Sequence, residues 1–162
     1  MMDFEGEVRT KSAQETAALG KELAIQLKTQ NAELNDQKRG QVGATTICLY
    51  GELGSGKTTF AQGFAKGLGI TSRLLSPTFI IVRRYQVSNT SDFLYHLDLY
   101  RVGGEKDLYD IGIAEILADT GSYVLIEWAE KLTKNLPEKR IDIWFTVREN
   151  GKHHIKIRQT KI

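Results

Sequence analysis

The chain has 162 residues, 41% hydrophobic and 26% charged, with a formal charge of +2. That length fits one domain with a single core, and the composition is ordinary for a soluble globular protein. The charge is too small to argue for nucleic-acid or membrane binding, although Arg83, Arg84 and Arg101 leave a local basic patch open. Cys48 is the only cysteine, which excludes an internal disulfide; in the apolar run "TICLY" it reads as a small core residue. The N-terminus "MMDFEGEVRT" lacks an apolar signal core and no segment approaches the length of a membrane span, so a cytoplasmic protein is expected.

In chain order, apolar residues at helical spacing (Ala17, Ala18, Leu19, Leu23, Ile25, Leu27) predict a helix over Ala13–Lys28, with Ser12 and Glu15 related as a capping box. The polar stretch Thr29–Gly43 reads as a surface linker within a single domain spanning 1–162. Thr45–Tyr50 predicts a buried strand, and a helix is expected from Lys57 to Gly67, where "GLGI" stops it. Phe79–Val87 and Phe93–Tyr100 are strand-like, separated by the turn "SNTSD". "EKDLYDIGIAEILAD" reads as short helical pieces broken at Gly112, and Tyr123–Trp128 as another buried strand. Alternation on both sides of Asn150-Gly151 predicts a terminal β-hairpin. The order implies an α/β fold: a mixed sheet flanked by helices and ending in a hairpin.

Between the first buried strand and its helix lies "GELGSGKTT", which runs from Gly51 through Glu52, Leu53, Gly54, Ser55 and Gly56 to Lys57, Thr58 and Thr59. The spacing Gly51-x4-Gly56-Lys57-Thr58 fills every fixed position of a nucleotide-binding P-loop. Its glycines allow successive N–H groups to turn inward on phosphate oxygens, Lys57 supplies a mobile charge, and Thr58 offers a hydroxyl to Mg²⁺. A strand before the loop and a helix after it are the arrangement such a site requires.

Two apolar runs end in a carboxylate, "LYHLD" at Asp98 and "YVLIE" at Glu127, each on a strand expected beside the P-loop strand. Such acids bind Mg²⁺ or orient an attacking water, unless each is only the first solvated residue after a strand. Thr78, in "SPTF" behind Pro77, stands where switch proteins place a hydroxyl on the metal or γ-phosphate; a plain turn explains it equally well. His153 and His154 are strand neighbours on opposite faces and so no metal pair, and His96 reads as a satisfied histidine. An Asn-Lys-x-Asp guanine loop, an Asp-x-x-Gly switch and a transporter signature loop are all missing from the sequence, which favours ATP by exclusion. A small-molecule kinase remains an alternative, with Asn135–Arg140 as its one short candidate lid. A nucleotide-gated interaction module without turnover is a further one.

"YGELGSGKTTFAQGFAKGLG", "SPTF", "YHLDLYR" and "IEWAEK", in this order, resemble the bacterial TsaE (YjeE) family from about Thr45 to Pro137. The resemblance implies a P-loop ATPase, slow alone, that works with the proteins TsaB and TsaD. Together these install threonylcarbamoyl on an adenosine next to the anticodon of ANN-decoding tRNAs, the transfer itself belonging to TsaD. By position it implies phosphate contacts from Lys57, a metal site of Thr58 and Glu127, and functional roles for Asp98, Thr78 and Trp128. It also implies adenosine contacts from residues just before the first helix and from Gly151. "SPTF" departs from the family's commoner "SPTY", and Thr29–Gly43 is longer than the family leads one to expect.

Overall fold

A computed structural model describes residues 5–34, 43–75 and 80–160. The "SPTF" segment with Thr78 and most of the expected Thr29–Gly43 linker lie outside these residues. The first described element is a strand that the sequence does not announce, β1 (Glu5–Thr10). Helix α1 (Ala13–Glu33) follows, with the Ser12 side chain accepting from the Glu15 N–H at 3.2 Å. Glu15 reaches back past the cap to accept from the Lys11 N–H at 2.7 Å, so the capping box closes one residue early. The helix runs to Glu33 rather than stopping at Lys28. Asn31 donates from there to Thr45 Oγ1 and to the Tyr123 hydroxyl, both at 3.2 Å, which ties this polar last turn to the sheet.

Strand β2 (Thr45–Tyr50) leads into α2 (Lys57–Gly67), both within the expected bounds. Then come β3 (Val82–Gln86), β4 (Phe93–Asp98), α3 (Glu105–Asp110), α4 (Ile113–Ala118) and β5 (Tyr123–Glu127). A 3-10 segment, Ala129–Asn135, precedes the hairpin of β6 (Ile141–Val147) and β7 (His153–Gln159). The hairpin turns through Arg148–Lys152, with the Arg148 N–H donating to Lys152 O and the Gly151 N–H to Arg148 O. Gly151, at φ 73°, takes the left-handed position of this three-residue loop.

Among the described residues the strands form one sheet in the order β1-β7-β6-β2-β5-β4-β3. The centre, β6-β2-β5-β4, is parallel, while β3 and the β7–β1 edge are antiparallel. This corrects one expectation. β5 lies beside the P-loop strand β2, but β4 lies one strand further out, so Asp98 reaches the site across β5. Arg83 and Arg84 are successive residues of β3 and face opposite sides of the sheet, so they do not form one patch.

Strict alternation gives the sheet two apolar faces. Ile47, Leu49, Leu125, Ile143, Phe145 and Ile155 face α1 and α2, where fully buried Phe60 and Phe64 meet them. Each such ring contributes about 1.5–3 kcal/mol when removed from water. Cys48, Val124, Ile126 and Leu97 face the other way, onto α3, α4 and the 3-10 segment. Burial pushes the Cys48 thiol up to about 12, which leaves it protonated and inert on the face away from the P-loop. Among the described residues no helix is long and apolar enough to cross a membrane.

Helices α1 and α2 pack with almost no space between their backbones. A Cβ added at Gly63 would sit 1.9 Å from the Ala17 carbonyl oxygen, and one at Gly20 would sit 2.3 Å from that of Phe60. The first turns of both helices therefore converge on the P-loop. Gly63→Ala is expected to destabilise the protein by about 1–3 kcal/mol, because overpacking against backbone outweighs alanine's better helix propensity. Urea unfolding checks this, and an unchanged or higher midpoint would contradict the packing described.

Candidate functional site

The P-loop connects the C-terminal end of β2 to α2, and its path depends on residues without a side chain. At Gly51, φ is 146°, and a Cβ would lie 2.6 Å from Phe145 O and 2.7 Å from Ser55 Oγ. At Gly56, φ is 107°, with His153 Nδ1 3.3 Å from the Cβ position. Gly56 caps α2 without any side-chain hydrogen bond, so the first-turn N–H groups of the helix are left for an incoming anion.

A cavity of about 320 Å³ opens over this loop. Of the expected phosphate residues, Leu53, Gly54, Gly56, Lys57, Thr58 and Thr59 line it, and so do Asp98 and Glu127. Gly51, Glu52 and Ser55 support the loop from behind: Lys57 Nζ donates to Gly51 O at 2.6 Å, to Glu52 O at 2.9 Å and to Ser55 Oγ at 3.5 Å. Gly151 does not line the cavity, but His153, two residues further along the same hairpin, does.

Lys57 is 4% exposed, and its Nζ lies 4.3 Å from the centre of the Trp128 ring. Burial pulls its ammonium below the usual range, while Glu127, Glu130, Asp98 and Glu52 support the charge. Trp128 reaches this position through a left-handed backbone, φ 58° and ψ 45°, a conformation costing on the order of 1–3 kcal/mol in a non-glycine residue. Its ring also packs on Tyr100, with centroids 5.0 Å apart, and both line the cavity.

The acids take their places through strand register. Glu127 pairs with Leu49 of β2 on one side and with Asp98 of β4 on the other. Alternation from Tyr123 and Leu125 puts the Glu127 side chain on the α2 face, where Thr58 Oγ1 donates to its two oxygens at 3.1 and 3.0 Å. Asp98 Oδ1 accepts from the Tyr100 N–H at 3.0 Å, which orders the turn after β4.

Among the described residues no group of three or more His, Cys, Asp or Glu side chains could hold a metal by itself. A hydroxyl and a carboxylate in contact, beside a phosphate loop, are nonetheless a donor set that fits Mg²⁺. This ion takes hard oxygen ligands and draws the remainder from phosphates and water.

Two histidines carry more than their sequence context indicates. His153 Nδ1 donates to Ser55 O at 2.6 Å, so the terminal hairpin braces the P-loop from 98 residues away in sequence. His96, fully buried, places Nε2 2.9 Å from Glu127 Oε1. No spacing rule signals either contact, because each depends on which strands become neighbours. The candidate lid Asn135–Arg140 is not at the site: Arg140 Nε donates to Asp142 Oδ1 at 2.9 Å and Nη1 to Pro137 O at 2.9 Å. It stands before the start of β6, whereas the P-loop follows the end of the parallel strand β2.

Comparison with known proteins points to one family. The family model for "Threonylcarbamoyl adenosine biosynthesis protein TsaE" matches residues 10–156. A Treponema pallidum protein named "tRNA threonylcarbamoyladenosine biosynthesis protein TsaE" is 39% identical over 113 residues, 70% of this chain and 81% of that protein. A Bacillus subtilis protein of the same name is 43% identical over 97 residues, 60% of this chain and 58% of its own length. The crystal structure of Bacillus subtilis YdiB superposes with a TM-score of 0.72 at 28% identity, covering 99% of this chain and 89% of that one.

His153→Ala is expected to cost about 1 kcal/mol, the usual net value of one hydrogen bond, and to speed amide exchange in the Gly51–Thr58 loop more than in β2. Hydrogen exchange followed by mass spectrometry reads both segments at once. An unchanged loop would show that the histidine does not brace it.

Proposed function

Because the chain belongs to the TsaE family, we propose that it is a Mg²⁺-dependent ATPase, slow by itself. In this reading it acts in the cytoplasm and supports a TsaB–TsaD complex that forms N6-threonylcarbamoyladenosine next to the anticodon of ANN-decoding tRNAs. The observation that carries the ATPase part is the contact of Thr58 with Glu127 at the mouth of the P-loop, within reach of a buried, charged Lys57.

Lys57 is held by two carbonyl oxygens and one hydroxyl, partners it exchanges for phosphate oxygens without leaving its place. The uncapped first turn of α2 and the glycine path of the loop complete the phosphate site. Thr58 and Glu127 are the residues that would hold Mg²⁺, which when bound bridges phosphate oxygens and neutralises the charge developing on them. Asp98, in register with Glu127, is assigned to orient the attacking water, and Thr78 to sense the γ-phosphate. The adenosine is assigned to the wall of Ala13, Thr16 and His153, beside the hairpin that carries Gly151.

No arginine is among the described residues lining the cavity. Charge stabilisation of the kind an arginine finger supplies is assigned to a partner protein, in keeping with slow turnover alone, with Arg101 as the alternative within the chain.

Lys57→Ala removes a charged donor worth about 1.5–3 kcal/mol, so ATP is expected to bind roughly ten- to hundredfold more weakly. Glu127→Gln keeps the shape and removes the charge. Metal-free ATP binding should survive it, while Mg²⁺-dependent turnover should fall at least about tenfold. Calorimetry with ATP and a phosphate-release assay check the pair. Turnover that persists undiminished in Glu127→Gln would contradict the metal assignment.

A further inference from the structure

We propose that His96 is a positioning residue for the metal-binding carboxylate: through its Nε2–H it fixes Glu127 in the orientation that, with Thr58, receives Mg²⁺. The inference rests on the Mg²⁺–nucleotide reading above and adds to it a residue outside the cavity.

His96 is fully buried in β4, between Arg83 of β3 and Leu125 of β5. It does not line the cavity, so it touches neither nucleotide nor metal and acts only through Glu127. The carboxylate only accepts, so the proton of the 2.9 Å contact belongs to His96 Nε2. The other ring nitrogen, Nδ1, is buried with no hydrogen-bond partner.

A buried polar atom without a partner opposes folding, and an apolar residue here would avoid the cost. Stability alone therefore does not account for a histidine at this position. What it supplies is directional. Glu127 is 3% exposed and has Thr58 Oγ1 shared between its two oxygens. A single hydroxyl bridging both oxygens leaves the carboxylate plane free to rotate about its terminal bond. The His96 bond to Oε1 removes that freedom, while Oε2 keeps Thr58 as its donor. Partners of this kind, one layer behind a metal ligand, typically change metal affinity ten- to a hundredfold when lost.

Three forms decide the matter: wild type, His96→Leu and His96→Gln, whose amide nitrogen donates from about the same reach as Nε2. ATP binding is followed by tryptophan fluorescence in a Trp144→Phe background, which leaves Trp128 at the cavity as the single reporter, across a Mg²⁺ titration and in EDTA, alongside urea unfolding. His96→Leu is expected to need at least about tenfold more Mg²⁺ for half-maximal tightening of ATP binding. Its affinity in EDTA should match wild type, since Lys57 and the loop are untouched, and its urea unfolding should stay a single cooperative transition. His96→Gln should recover most of the Mg²⁺ response. The proposal is overturned if His96→Leu keeps the wild-type Mg²⁺ response, if it loses ATP binding equally with and without metal, or if His96→Gln behaves like His96→Leu. A wild type whose ATP affinity ignores Mg²⁺ would instead bring down the reading of the site itself, and this inference with it.

Discussion

The parallel register of β2 with β5 is the constraint on which the site depends. Pairing Leu49 with Glu127 sets the carboxylate at the level where β2 gives way to the P-loop. Alternation then turns it toward α2, whose first turn carries Lys57 and Thr58. A slip of one residue would send Glu127 to the face of Cys48 and Val124, away from any phosphate. The register is held by apolar side chains on both faces, fully buried in Ile47, Cys48 and Ile126, so the geometry of the Thr58–Glu127 pair is set by core packing.

The same logic places the supporting parts. The close approach of α1 to α2 through Gly20 and Gly63 brings the start of α1 to the cavity wall at Ala13 and Thr16. The β6–β7 hairpin brings His153 beneath Ser55, and β4, one strand beyond β5, delivers His96 and Asp98 to the Glu127 carboxylate and to the cavity. Elements from both ends of the chain therefore converge on a loop of fewer than ten residues. A site assembled this way is braced at the phosphate end by Lys57 and His153. At Leu53 and Tyr100 it stays open, and both side chains are well exposed at the cavity edge.

What was legible in the sequence was local. The P-loop, its strand and helix, the break at Gly112, the terminal hairpin and the two strand-end acids each follow from short-range spacing, and the structure has them at or near the expected residues. Strand order was not legible, because nothing between Phe93 and Glu127 says that β5 rather than β4 adjoins β2. Strand β1 was invisible because Glu5–Thr10 lies at a sheet edge with a single apolar residue, Val8, and pairs with β7 at the far end of the chain. The last turn of α1 was missed because Asn31 and its neighbours are polar, and its anchors, Thr45 and Tyr123, are remote. The roles of His96 and His153 are not legible for the same reason: a histidine's role depends on what the fold brings to its ring. The assignment of Thr78 rests on its place in the sequence and on the resemblance of "SPTF", and lies outside the described residues.

The fold therefore presents a P-loop site with Lys57, Thr58 and Glu127 together at one end and no arginine among its described lining residues. In the function proposed above, such a site holds ATP and turns it over fast only when another protein completes it. Steady-state ATP turnover by the purified protein, alone and with TsaB and TsaD added, tests this most directly. Slow turnover that rises at least about tenfold on assembly, the scale of one added electrostatic contact in a transition state, is the result this mechanism predicts. Turnover that is the same with and without the two partners would contradict it.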